Sequence, residues 1–179
     1  MVFLCGHNSA RSQMAEGFLR ALGGEYVQAE SAGTVASELH PLAVRAMAEV
    51  GIDISAQRSK SIDELTGPFD ICVTVCDANC PIPPSATVRL RWKIADPALA
   101  RGSEDERMAA FRVVRDGIGL RVRALVAQPR FLARPLPVAM SFGVRRNTTR
   151  RLAVHDDQGQ DGQSDADKGN QDPGVRNAR

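Results

Sequence analysis

Val2-Phe3-Leu4-Cys5-Gly6-His7-Asn8-Ser9-Ala10-Arg11-Ser12 is the stretch that decides the architecture. Val2, Phe3 and Leu4 form a short apolar run that reads as a buried strand, and Cys5 ends it. An amphipathic helix follows, with Met14, Phe18, Leu19 and Leu22 expected on one face. Strand, Cys-x5-Arg-Ser loop and helix together place a thiol among backbone N–H groups at the positive end of a helix. Such a loop binds a tetrahedral oxyanion through Gly6, His7, Asn8, Ser9 and Ala10, and its field favours the cysteine thiolate. Arg11 can fork two oxygens of the bound anion, and the Ser12 hydroxyl can donate to the thiolate. A buried strand-end cysteine beside an unrelated arginine is the plainer alternative. The agreement of strand, spacing and helix argues against it.

The chain has 179 residues, 43% hydrophobic and 25% charged but only 4% aromatic, so Ala, Val and Leu must carry the core. That length fits one ordinary domain. A formal net charge of +2 is too small to argue for nucleic acid. No stretch approaches the ~20 apolar residues of a membrane span, and no signal peptide is visible. The four cysteines do not make a secreted disulfide scaffold. They suggest redox or nucleophilic chemistry in a reducing, cytoplasmic setting.

Strand and helix alternate along the chain. Gly23-Gly24 stops the first helix, and Tyr26 to Ser31 reads as a second strand turning at Ala32-Gly33. His40-Pro41 opens a second helix that Gly51 closes. Ser61 with Glu64, and Ser103 with Glu106, are capping boxes, the second opening a long last helix weakened at Gly117 and Gly119 by roughly 1 kcal/mol each. Asp70 to Val75 is a third, nearly continuous apolar strand, as a parallel sheet covered on both faces requires. Thr87 to Ile94 is a fourth, alternating one. The expected fold is α/β, a four-stranded doubly wound parallel sheet with function at the carboxyl ends of its strands. This domain spans residues 1–127. From 128 to 179 prolines interrupt any helix, arginines cluster, and polar residues dominate beyond Asp156, so the segment reads as a disordered tail.

Cys76 and Cys80 follow the third strand, separated by Asp77-Ala78-Asn79. One helical turn would hold their Cα atoms about 6 Å apart, inside the disulfide range. Pro81 disfavours that conformation at Cys80, so bridging them requires the loop to rearrange. Half of a zinc site is the competing reading, but no second pair or histidine cluster completes it, and no metal is expected. Cys72, mid-strand among apolar neighbours, reads as an inert core residue. His7 reads as a structural filler. Asp96-Pro97 follows the fourth strand, where a carboxylate could reach the Cys5 loop and protonate a leaving oxygen.

Cys5 through Gly17, Ser31-Ala32-Gly33, Asp53-Ile54-Ser55, Val75-Cys76-Asp77, Cys80-Pro81, Trp92 and Asp96-Pro97 together resemble thioredoxin-coupled arsenate reductases. That family shares the low-molecular-weight protein tyrosine phosphatase fold, and the resemblance covers residues 1 to about 127. It implies that Cys5 attacks arsenate held by Arg11 and the loop N–H groups, with Asp96 assisting departure of an oxygen. Cys76 then attacks the Cys5 sulfur and expels arsenite, and Cys80 attacks Cys76 and carries the disulfide outward. Reduced thioredoxin is the implied electron donor. No tightly bound cofactor is implied, and a cytoplasmic monomer without nucleic-acid or membrane partners is expected.

Two departures stand out. Family members usually carry more residues between the second and third cysteines. Some hold a potassium ion beneath the loop with an Asn, a Glu, a Ser and an Asp; Asn8, Glu16 and Ser31 match, but Lys60 replaces the Asp. The Lys60 ammonium is therefore expected to stand in for the ion by pairing with Glu16 and steadying Asn8, against the alternative of a solvated lysine. Three rivals remain: a phosphotyrosine phosphatase, a reductase using a low-molecular-weight thiol, and a non-catalytic oxyanion-binding domain. A phosphatase of this fold usually has aromatic residues after the Asp-Pro, where this chain has Ala98 and Leu99.

Overall fold

The computed structural model describes residues 1–24, 27–77, 81–82 and 84–128. Tyr26, Cys80 and the expected tail beyond Gln128 lie outside the described residues. Four strands, β1 (Val2–Cys5), β2 (Glu30–Gly33), β3 (Phe69–Thr74) and β4 (Ala86–Arg91), form one parallel sheet in the order β2-β1-β3-β4. The helices are α1 (Arg11–Gly23), α2 (Pro41–Ala48) and α3 (Glu104–Val126). The strand order reverses between β1 and β3, and the crevice beyond their carboxyl ends is where α/β sheets bind ligands.

Both faces of the sheet are covered, but unequally. Phe3 and Cys5 of β1 point into a large core with Met14 and Phe18 of α1, Met47 of α2, and Phe111 and Ile118 of α3. Val2 and Leu4 point the other way, into a small cluster with Ala32, Phe69 and Cys72. That second face is closed by Ile62 and Leu65 around a single 3₁₀ turn, Ile62–Glu64, which carries the expected capping box. Burying each large apolar side chain contributes about 1.5–3 kcal/mol, so the three-helix side holds most of the stability.

Several boundaries moved. Ala32 and Gly33 belong to β2 rather than to a turn, because they pair with Leu4 and Cys5. β4 is half-covered, with Val88 and Leu90 against the core and Arg89 and Arg91 exposed, as the alternation predicts. Leu22 is exposed, off the buried face that Met14, Phe18 and Leu19 share. Gly51 does take the left-handed conformation, φ 76°, expected after α2.

Gly119 has a role that helix propensity hides. A Cβ there would stand 2.9 Å from Cζ of Phe18, so the bare glycine lets α3 close on α1.

Candidate active site

Cys5 ends β1, and the chain turns through Gly6 to Ala10 before α1 begins at Arg11. The loop holds its shape because its carbonyls are pinned outward. Gly6 O accepts from Val35 N (3.0 Å), His7 O from Ser37 N (3.2 Å), and Ser9 O from His40 N (2.9 Å). Asn8 O accepts from the Gln13 side chain at 3.1 Å. Carbonyls anchored outward in a tight loop turn the N–H groups inward, the arrangement that receives an oxyanion. Asn8 has φ 49°, a left-handed conformation that Asn tolerates better than most residues.

The Cys5 sulfur accepts from Asn8 N at 3.2 Å and lies 3.0 Å from Ser12 Oγ. Asn8 Nδ2 donates to that same Oγ at 2.8 Å, which leaves the Ser12 hydroxyl proton to point at the sulfur. Asn8 also donates to Ser31 Oγ (2.8 Å), and its Oδ1 accepts from Gln13 Nε2 (3.1 Å) and Lys60 N (2.8 Å). Every hydrogen-bonding position of the Asn8 amide is filled, and both Asn8 and Ser31 are fully buried.

Glu16 pairs with Arg20 at 2.6 Å, and the Lys60 ammonium pairs with Glu30 at 3.1 Å. The expected Lys60–Glu16 pair is therefore wrong. The Lys60–Ser61 segment runs beside Gly33, with Gly33 N donating to Lys60 O, and the lysine side chain reaches Glu30 of the same strand. Lys60 does steady Asn8, but through its backbone N–H. Among the described residues, no three His, Cys, Asp or Glu side chains are grouped to hold a metal.

Arg11 is almost wholly buried, and its guanidinium is already engaged. Nη2 donates to Asp96 Oδ2 at 2.6 Å, and Nη1 donates to Ile94 O at 3.0 Å and Asp77 Oδ1 at 3.4 Å. Three of its five N–H donors are thus held by the protein, and an incoming anion meets an arginine already shared between two carboxylates. Asp96 splits its oxygens: Oδ1 accepts from Ala98 N (3.1 Å), capping a 3₁₀ turn, and Oδ2 faces Arg11. The sequence placed Asp96 near the loop, and the Arg11 contact is the link between them.

Cys76 follows β3, the neighbour of β1. Leu4 pairs with Thr74, and Val75 N donates to Leu4 O at 2.8 Å, so the chain enters Cys76 beside the Cys5 loop. Asp77 ties that segment to Arg11, and Arg91 Nη2 donates to Asp77 O at 3.3 Å. Cys76 is disulfide-bonded, whereas Cys5 and Cys72 are free. Burial pushes the Cys72 thiol up to about 11, which keeps it protonated and inert, as its mid-strand position suggests. His7 is exposed, and its backbone carbonyl does its structural work.

Gln13, Gly33, His40 and Asp77 lie in stretches that the sequence marks, but their contacts with the loop and with Arg11 are not visible there. A Cβ on Gly33 would lie 2.7 Å from Asn8 N and 2.9 Å from His7 C, so only glycine lets the loop cross β2 there. Gln13 left a faint signal, as a polar residue on the buried stripe of α1. Its side chain ties Asn8 to Arg58 O (3.3 Å), and Gln57 donates to its Oε1 (2.7 Å).

A free cysteine at the end of β1, followed by a tight loop that Arg11 closes at the switch point of a parallel sheet, is the arrangement expected of a cysteine-dependent oxyanion enzyme. Residues 1–130 match the family model described as low molecular weight phosphotyrosine protein phosphatase, and the chain belongs to that family. Within it, the chain is 48% identical over 125 residues to the arsenate reductase of Bacillus subtilis, covering 68% of this chain and 90% of that one. It is 35% identical over 132 residues to a glutaredoxin arsenate reductase of Synechocystis, covering 72% and 96%. Among solved structures, an arsenate reductase in a phosphate-binding state superposes with a TM-score of 0.63 at 35% identity, covering 70% of this chain and 95% of that one. The thioredoxin-dependent arsenate reductase of Corynebacterium glutamicum gives a TM-score of 0.52 at 31% identity, covering 69% and 58%.

Proposed function

We propose that this protein reduces arsenate to arsenite by a three-thiol relay, contributing to arsenic detoxification, with reduced thioredoxin as the electron donor. The observation that carries the reading is the β1–β3 pairing, which brings the segment bearing Cys76 beside the loop bearing Cys5. A phosphatase needs Cys5, Arg11 and Asp96 but has no use for a second thiol there. Exposed Leu99, rather than an aromatic ring, also stands after Asp96-Pro97.

In the first step the Cys5 thiolate, fixed by Ser12 and Asn8, attacks arsenic(V). One arsenate hydroxyl departs as water, taking a proton that Asp96 carries once the anion has displaced its carboxyl from Arg11, and Arg11 and the loop N–H groups hold the remaining oxygens. In the second, the Cys76 thiolate attacks the Cys5 sulfur. An S–S bond forms, the S–As bond breaks, and its electron pair stays on arsenic, which leaves as arsenite. Two electrons have passed from two thiolates to arsenic. In the third, the Cys80 thiolate attacks the Cys76 sulfur and frees Cys5, and a donor dithiol then reduces the remaining disulfide. A free Cys5 beside an oxidised Cys76 fits the stage after Cys5 is freed and before the donor dithiol acts.

A coupled assay tests this. Arsenate-dependent NADPH oxidation with thioredoxin and its reductase is expected to exceed p-nitrophenyl phosphate hydrolysis, and the reverse ranking would favour the phosphatase. Cys80→Ser is expected to release one arsenite per enzyme and then stop with Cys5 joined to Cys76. Sustained thioredoxin-driven turnover in that variant would remove Cys80 from the relay.

A further inference from the structure

We propose that His40 is a positioning residue for the anion loop, whose neutral imidazole locks the first turn of α2 beneath Ser9 and whose protonation releases that lock. His40 stands outside the thiol chemistry but touches the loop directly. Its backbone N–H donates to Ser9 O at 2.9 Å, one of the outward anchors of the loop. Its side chain is the N-cap of α2: Nδ1 accepts from Leu42 N at 3.2 Å. Pro41 has no N–H, so Leu42 presents the first N–H of the helix that needs a partner. The His40 carbonyl accepts from Ala43 N (2.8 Å) and Val44 N (3.2 Å), and its ring packs on Phe111 of α3 with centroids 4.5 Å apart. One half-buried residue thereby joins the loop, α2 and α3.

An accepting Nδ1 must carry no proton, so the ring is the neutral tautomer with its hydrogen on Nε2. Protonation would set an N–H against the Leu42 N–H and place a positive charge at a helix N-terminus, and both effects break the cap. Burial is the main effect on the ring and disfavours its charged form; of two charged groups that act on it, Arg107 of α3 also opposes protonation and Asp96 favours it, so the imidazole titrates below the usual histidine range. The lock therefore holds at neutral pH and opens on acidification. Asp96 also holds Arg11, so a charged His40 would compete for the carboxylate that orients the anion-binding arginine.

Inorganic phosphate is the probe, because its binding reports on the loop without requiring arsenate chemistry. His40→Asn keeps an N-cap acceptor that cannot titrate. At about pH 8 the wild type and His40→Asn are expected to bind phosphate equally, and His40→Ala about fivefold more weakly, the equivalent of one cap. Towards about pH 5, through the histidine range, the wild type is expected to weaken by about fivefold relative to His40→Asn. Arg107→Gln should bring that weakening in at higher pH, in step with the His40 ring resonance followed by NMR. A wild-type to His40→Asn ratio that stays flat with pH, or His40→Asn binding as poorly as His40→Ala at about pH 8, would overturn the proposal. Only its bearing on turnover rests on the arsenate reading: absence of arsenate reduction at every pH would sink that reading and leave the phosphate ratio to decide the role of His40.

Discussion

Arg11 is shared between Asp96 at 2.6 Å and Asp77 at 3.4 Å, so in the proposed function an oxyanion competes with two carboxylates for one guanidinium. The Asp77 contact is long and its side chain is half-exposed, which limits its worth to the ~0–1 kcal/mol of a surface pair. Asp77→Asn is therefore expected to tighten phosphate inhibition by up to about fivefold, read from the inhibition constant. Unchanged or weaker inhibition would mean that Asp77 does not restrain Arg11. Cys5, Asn8, Arg11 and Ser12 are legible in sequence because they lie within one loop and one helical turn. Asp77 and Gly33 are not, since their roles exist only where β2 and the segment after β3 meet that loop.

Helix α3 shows where propensity misleads. Gly117 and Gly119 look equally destabilising in sequence, yet a Cβ on Gly119 meets the Phe18 ring at 2.9 Å, while one on Gly117 meets only the exposed guanidinium of Arg121 at 3.3 Å. Gly117→Ala should stabilise by up to about 1 kcal/mol through helix propensity. Gly119→Ala should destabilise by about 1–3 kcal/mol through overpacking between α1 and α3. Urea denaturation of the two variants separates the effects, and similar behaviour in both would show that α1 and α3 are not in tight contact at Phe18. Strand and helix identities were otherwise readable from periodicity and caps. The extension of β2 through Gly33 was not, because its pairing with Cys5 is a long-range hydrogen-bond pattern.

Across the whole molecule, α2 is clamped to α3 by Glu49, whose carboxylate accepts from Arg112 Nη2 (2.6 Å) and Arg115 Nη1 (2.9 Å). Hydrogen bonding to Arg112 above all lowers the Glu49 pKa from 4.5 to about 2. A depressed carboxylate contributes stability that is complete above its unfolded pKa and is lost as pH falls through the folded one. Melting temperature should therefore fall between about pH 4.5 and pH 2, and Glu49→Gln should flatten that stretch of the curve. His40 acts in a higher window. Its lowered pKa makes stability decline as pH drops below 6.5 towards its folded value, and His40→Asn should remove that decline. A Glu49→Gln curve that still falls as steeply as wild type between about pH 4.5 and pH 2 would place the acid-sensitive clamp elsewhere.

By itself the sequence determined the Cys-x5-Arg loop between strand and helix, the alternation of strand and helix and the family, because each is written in neighbouring residues and fixed spacings. Which partners those residues take was decided by the tertiary structure. Lys60 faces Glu30 rather than Glu16, Arg11 is bridged by Asp77 and Asp96, and His40 caps α2 beneath Ser9. The Lys60–Glu30, Arg11–Asp77, Arg11–Asp96 and His40–Ser9 contacts join residues between 30 and 85 positions apart. The Arg11 contacts follow from the strand order β2-β1-β3-β4, which lays the segments after β3 and β4 close to the end of β1.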